Sequence, residues 1–179
     1  FSQALDMHVA LLQPSDAPRY RALMLEAYEL ATDAFTSTAE ERVAEPESFW
    51  ARRIADPSGM SVAFGAFAGQ ELVGTVALEF SAKPKTRHKA HVIGMYVVPR
   101  ARGSGAGRAL IEACIRYASG KDGILVLNLT VTEGNAPAIG LYQGAGFVAF
   151  GTEPMAVSTP DGFRAKVHMQ RVIARGTVV

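Results

Sequence analysis

The chain of 179 residues has one cysteine, four histidines and a net charge of +1, and each scarcity removes a class of protein. A lone cysteine, Cys114, cannot close an internal disulfide, so nothing in the sequence demands an oxidising compartment. Eighteen basic residues against seventeen acidic ones leave no strongly basic domain for gripping nucleic acid. No apolar run reaches the roughly 20 residues that span a bilayer, so no membrane partner is expected. The histidines, His8, His88, His91 and His168, lack metal-ligand spacing, and no metal site is expected. No Asp/His pair completes a nucleophilic triad. The opening "FSQALDMHVA" lacks the charged start and long apolar core of a leader peptide. These absences together fit a cytoplasmic protein. Residues 1–6, ahead of Met7, read as a cloning remnant, and 7–175 as one domain.

What is present is an ordinary globular composition, 49% hydrophobic and 20% charged, in a chain long enough to bury a real core. In "SDAPRYRALMLEAYELA" the residues Tyr20, Leu23, Met24, Ala27 and Leu30 recur at helical spacing behind Ser15 and Asp16. Ser37-Thr-Ala-Glu40 has the form of a capping box, and Pro46 opens a second short helix that ends near Asp56. The stretch 61–80 reads as two strands joined at Ala68-Gly69-Gln70. "AHVIGMYVV" (90–98) reads as an interior strand buried on both faces. A helix is expected over 105–119 and a buried strand over 124–131. A short helix follows, capped by Asn135 and ended by Gly144 or Gly146. "FVAFG" and "RAKVHMQRVI" close the sheet. Lys83, Lys85, Arg87 and Lys89 form a basic loop, read first as a solvated hairpin end. The sum is one mixed α/β domain.

The informative stretch is "MYVVPRARGSGAGRALIEA". A strand that runs into a glycine-rich turn and then a helix presents backbone N–H groups at a helix N-terminus, a site suited to phosphate. Glycines let phosphate oxygens approach the backbone. A Walker loop fails, because Arg108-Ala109 follow Gly107 where Lys-Ser/Thr is needed. The dinucleotide fingerprint fails in both frames, because its sixth position falls on Arg108 or Leu110.

Arg102-Gly-Ser-Gly105-Ala-Gly107 matches Arg/Gln-x-x-Gly-x-Gly/Ala, and so resembles the pyrophosphate loop of the GNAT superfamily of N-acetyltransferases. "NAPAIGLYQGAGF" resembles that family's second motif through Asn135, Ala138, Leu141, Tyr142, Gly146 and Phe147. The resemblance implies an α/β (α+β) fold with a central mixed sheet of about six to seven strands flanked by helices. It implies acetyl-CoA as co-substrate. The amides of Gly103, Ser104, Gly105, Ala106, Gly107 and Arg108 would hold the pyrophosphate, with Arg102 or Arg108 adding charge. The backbone of Met95, Tyr96 and Val97 would pair with the pantetheine arm, near Asn135.

The reaction so implied is attack of a neutral amine on a thioester. It needs a route for the amine's proton, a donor for developing oxyanion charge and an acid for the leaving thiolate. The resemblance offers Tyr142 as the acid. No glutamate stands on the central strand, so the proton route stays open between His91, which shares a strand face with Ile93 and Met95, and Glu79 on the preceding strand. Cys114 reads as a small core residue, and Ser37 and Thr38 as helix caps. The acceptor is a small-molecule amine or a peptide, with specificity expected from residues 28–56 and the tail after Glu153. A CoA-binding module without catalysis fits the same loop. Paired protomers are common in the family, so a homodimer is a family-level expectation.

Overall fold

The computed structural model describes residues 6–173. The expected remnant therefore lies, but for Asp6, outside the described residues, as do positions 174 and 175 of the expected domain. Seven strands form one mixed sheet in the order β1-β2-β3-β4-β5-β7-β6. These are β1 Met7–Leu11, β2 Ser61–Ala68, β3 Glu71–Phe80, β4 Lys89–Val97, β5 Val126–Thr132, β6 Val148–Thr159 and β7 Gly162–Val172. Five helices accompany them: α1 Ala17–Leu30, α2 Ala39–Val43, α3 Glu47–Ala55, α4 Ala106–Gly120 and α5 Ala136–Gly144. Every neighbouring pair is antiparallel except β4 and β5, which the α4 crossover makes parallel. Among the described residues no helix is long and apolar enough to cross a membrane.

The core forms because α1 and α3 pack together and against β2 and β3, while α4 packs along β1 to β4. Trp50, Tyr20, Met24, Ile54, Leu78, Leu110 and Leu127 are fully buried there. Burial on both faces, expected of β4, belongs instead to β2 and β3, where every residue from Val62 to Phe67 and from Leu72 to Leu78 is buried. In β4 only Ala90, Val92 and Tyr96 are buried, because the strand borders a cleft. Cys114 is fully buried and burial pushes its thiol pKa up, as suits a core residue.

Three local readings change. The capping box lies one residue later than expected: Thr38 Oγ1 accepts from the Glu41 amide at 3.1 Å, and Glu41 answers at the Thr38 amide. Ser37 instead accepts from the Arg42 guanidinium. The closing strands are longer than "FVAFG" and "RAKVHMQRVI", since β6 and β7 form a hairpin turning at 160–161. Pro154, which cannot donate to a ladder, sits where the register shifts between Glu153 and Val157. Finally, β1 is a seventh strand that the sequence pattern did not announce.

Candidate active site

The decisive feature is where β4 and β5 part. Their pairing covers only Lys89–His91 against Val126–Asn128. Beyond that point both run on as strands without each other, so the β5-facing edge of β4 from Val92 onward has no strand partner. The opposite edge of β4 stays paired with β3, but four residues of β4 (Ile93 to Tyr96) span three of β3 (Ala77 to Thr75). This bulge centres on Gly94, whose φ of +64° is one that side-chain-bearing residues rarely adopt. The bulge bends β4 away from β5 and opens a cleft at the carboxyl ends of two parallel strands.

The cleft holds about 840 Å³. Met95, Tyr96, Val97, Arg102, Gly103, Gly105, Ala106, Gly107, Arg108 and Asn135 all line it. Of the anticipated loop only Ser104 faces elsewhere: it lines a smaller cavity with Met7 and Val9, and its hydroxyl donates to the Ala101 carbonyl. The basic loop 83–89 lines neither this cleft nor the one described next.

The start of α4 is built to receive an anion. Among the described residues the amides of 103–108 have no backbone acceptor, and the first bond closed there runs from Ala109 N–H to Gly105 O at 3.0 Å. Gly105 caps the helix at φ +86°. The two loop arginines differ in availability. Arg108 Nε donates to Glu112 at 3.0 Å, whereas Arg102 has no carboxylate partner among the described residues and rests its Nε on the Val97 carbonyl at 3.2 Å. Free amides, an uncommitted guanidinium and an unpaired strand edge beside them are the donors and acceptors that a pyrophosphate followed by an amide-bearing arm requires. Acetyl-CoA therefore fits the residues present.

A second cavity of about 360 Å³ meets the first at Phe35, Met95, Asn135, Ala138 and Leu141. Tyr142 lines it and is only 7% exposed, packed edge-to-face on Phe147. Its hydroxyl has no hydrogen-bond partner among the described residues. Burial first, then the neighbouring Cys114, raise its pKa above the usual phenol value of 10, so it stays protonated through neutral pH. Asn135 caps α5, its Oδ1 accepting from the Ala138 amide at 3.3 Å.

The two candidates for the proton route separate here. Glu79 lines the second cavity; His91 lines neither. His91 is exposed in a polar row, facing Glu79 on β3 and Asn128 on β5, and Gln170 donates to Asn128 at 3.2 Å. The bulge also breaks the simple alternation that put His91 on the face of Met95. Sequence reading gave the segments 28–56 and the tail after Glu153 but did not single out Tyr28, Arg42, Arg53 and Lys166, which line the second cavity from four separate elements.

The model of the acetyltransferase (GNAT) family matches residues 24–147. The chain is 29% identical over 106 residues to the L-amino acid N-acetyltransferase AaaT of Escherichia coli (strain K12), a match covering 59% of this chain and 64% of that protein. The matched region thus spans less than two thirds of that relative's length. Among solved structures, the acetyltransferase of GNAT family from Streptococcus pneumoniae superposes with a TM-score of 0.79 at 24% identity, over 94% of this chain and all of its own. At that identity the likeness is one of fold. A GCN5-related N-acetyltransferase from Kribbella flavida gives a TM-score of 0.77 at 26% identity, over 93% of this chain and 97% of its own.

Proposed function

The chain belongs to the acetyltransferase (GNAT) family, and from that membership we propose that it is an N-acetyltransferase. It would move the acetyl group of acetyl-CoA onto a primary amine by direct attack while both substrates are bound. The observation that carries this reading is the parting of β4 from β5 beside the free amides of α4, which makes one continuous path from an anion site to a second, smaller cavity. Acetyl-CoA supplies an activated thioester carbonyl; the chain supplies position and protons.

The amides of Gly103 to Arg108 and the Arg102 guanidinium hold the pyrophosphate. The open edge of β4 over Met95, Tyr96 and Val97 takes the pantetheine amides as an added strand would. Tyr142 holds a proton at its hydroxyl for the departing thiolate. Glu79 draws the acceptor's ammonium toward the second cavity and takes its proton, directly or through water. The relative's name makes free amino acids the first acceptors to try.

The test is thiol release from acetyl-CoA over a panel of amino acids, simple amines and peptides, with product masses measured. Acetylated amine products support the reading. Tight CoA binding with no thiol release from any acceptor would leave a CoA-binding module and reject the enzyme.

The proton route carries its own prediction. Glu79→Gln is expected to lower kcat/KM by roughly 10-fold or more. His91→Gln, altering an exposed residue outside both cavities, is expected to change kcat/KM by less than about 3-fold. A larger loss in folded His91→Gln than in Glu79→Gln would restore histidine as the base.

A further inference from the structure

We propose that the second cavity is a carboxylate subsite, in which Arg53, flanked by Tyr28 and Tyr20, receives the acidic group of an amino-carboxylate acceptor. The inference rests on the acetyl-transfer reading above and names the acceptor class for it. Buried polar side chains nearly always find hydrogen-bond partners. Here the Tyr20 hydroxyl, the Tyr28 hydroxyl and Arg53 Nε are all buried with no well-formed hydrogen bond among the described residues, although Tyr20 and Arg53 lie close enough to interact. Trp50 Nε1, on the helix that carries Arg53, is a fourth such group. Each carries an N–H or O–H, and only the two hydroxyl oxygens can also accept, so donors outnumber acceptors in the cluster. Tyr28 and Arg53 line the cavity, and Arg53 is only half-buried, so part of its side chain is open to a ligand there.

Charge narrows the ligand further. Among the described residues three cations, Arg42, Arg53 and Lys166, line the cavity against one carboxylate, Glu79. Arg42 is already answered by Glu45 at 3.3 Å and by the Ser37 hydroxyl. Arg53 has no ion pair among the described residues; its guanidinium carbon lies 5.8 Å from the Phe49 ring centroid, and Tyr20 and Tyr28 stand beside it. Burial works against its charge, but Tyr20, Tyr28 and Glu79 around it more than offset that, and the guanidinium is held charged. Water can accept from these donors but cannot balance the charge. A carboxylate does both, because its two oxygens match the fork of a guanidinium. Glu79 has the sign to take the ammonium of the same molecule. A polycationic acceptor such as an aminoglycoside meets three like charges here, and a peptide N-terminus brings no carboxylate beside its amine.

The test pairs amino acids with their decarboxylated amines, for example phenylalanine with phenethylamine and leucine with isopentylamine. Two readouts are taken: kcat/KM for acetyl transfer, and calorimetric affinity for the CoA-bound protein. The wild type is expected to favour the acid of each pair by roughly 10-fold or more, mainly in KM and Kd, as an added charge-assisted bond predicts. In Arg53→Gln that ratio is expected to fall toward one, and Arg53→Lys is expected to recover part of it. The melting temperature of each variant checks folding, and the wild-type panel decides even if a variant fails to fold. Equal kcat/KM and equal affinity within the wild-type pairs overturn the subsite while leaving acetyl transfer intact. Absence of turnover with every acceptor rejects the acetyl-transfer reading, and the calorimetric ratio still decides the subsite. A preference that survives in folded Arg53→Gln overturns the assignment to Arg53.

Discussion

Tyr142→Phe is expected to lower the acetyl-transfer rate by roughly 10²-fold while leaving CoA affinity nearly unchanged, since a positioned acid contributes at least that much. The substitution removes one oxygen and keeps the ring against Phe147, so packing survives. The hydroxyl bonds to no other described residue, which leaves no structural hydrogen bond to lose. Its surroundings explain why it can serve as an acid at all. Burial and the nearby Cys114 lift its pKa above 10, so the proton is in place across the working range. Between neutral pH and about pH 10 the wild-type rate should therefore show no alkaline limb from this group. Donors whose leaving thiol has a lower pKa need less protonation, and with them the deficit of Tyr142→Phe should shrink. Rate, melting temperature and CoA affinity measured on one preparation decide the matter. A full rate in a stable variant removes Tyr142 from the mechanism, and an equal deficit for all thiols shows that it orients the thioester without donating to it.

What the sequence made legible was local. The strand–turn–helix at 95–113 could be read because its glycines, helix start and arginines are contiguous, and α4 begins where that pattern says. Asn135 could be read as a cap because the bond it makes spans three residues. The parting of β4 from β5 could not be read, because the length of a strand pairing depends on residues far apart in the chain. Gly94 is its local trace, a glycine in mid-strand between Ile93 and Met95, and a glycine there signals a bulge. Burial on both faces was assigned to β4 from its apolar run, but an apolar run does not say whether a face meets a helix or a cleft. The strand β1 offers only five residues with weak alternation, and its pairing with β2 supplies the order that its own sequence lacks. Arg53 shows the same limit at the site. It follows Arg52 on α3, and nothing local distinguishes the two. Arg52 is exposed, while Arg53 turns inward toward Tyr20 and Tyr28 on α1. Charge drawn into a cavity from three elements is a tertiary fact.

Gly105→Val is expected to weaken CoA binding by about 10²-fold, the loss of one to two charge-assisted amide bonds. The space around the residue is not the cause, since a Cβ there would meet nothing within 4 Å. The backbone is the cause. Gly105 holds φ +86° as the cap of α4, and a β-branched residue in that conformation costs of order 1–3 kcal/mol. The turn relieves the strain by rotating, and rotation turns the amides of Gly103 to Gly107 out of their common direction. Affinity should fall because the donors diverge, while the fold survives, as the turn is exposed and the core under α4 is untouched. Gly120→Ala, at the other end of the same helix, supplies the control: its backbone is ordinary and its Cβ also meets open space. That variant should bind CoA as the wild type does. Calorimetry with CoA on both variants, beside their melting curves, separates the outcomes. A folded Gly105→Val protein with wild-type affinity would mean that the pyrophosphate is held by side chains such as Arg102, and that the glycine turn serves the chain's path alone.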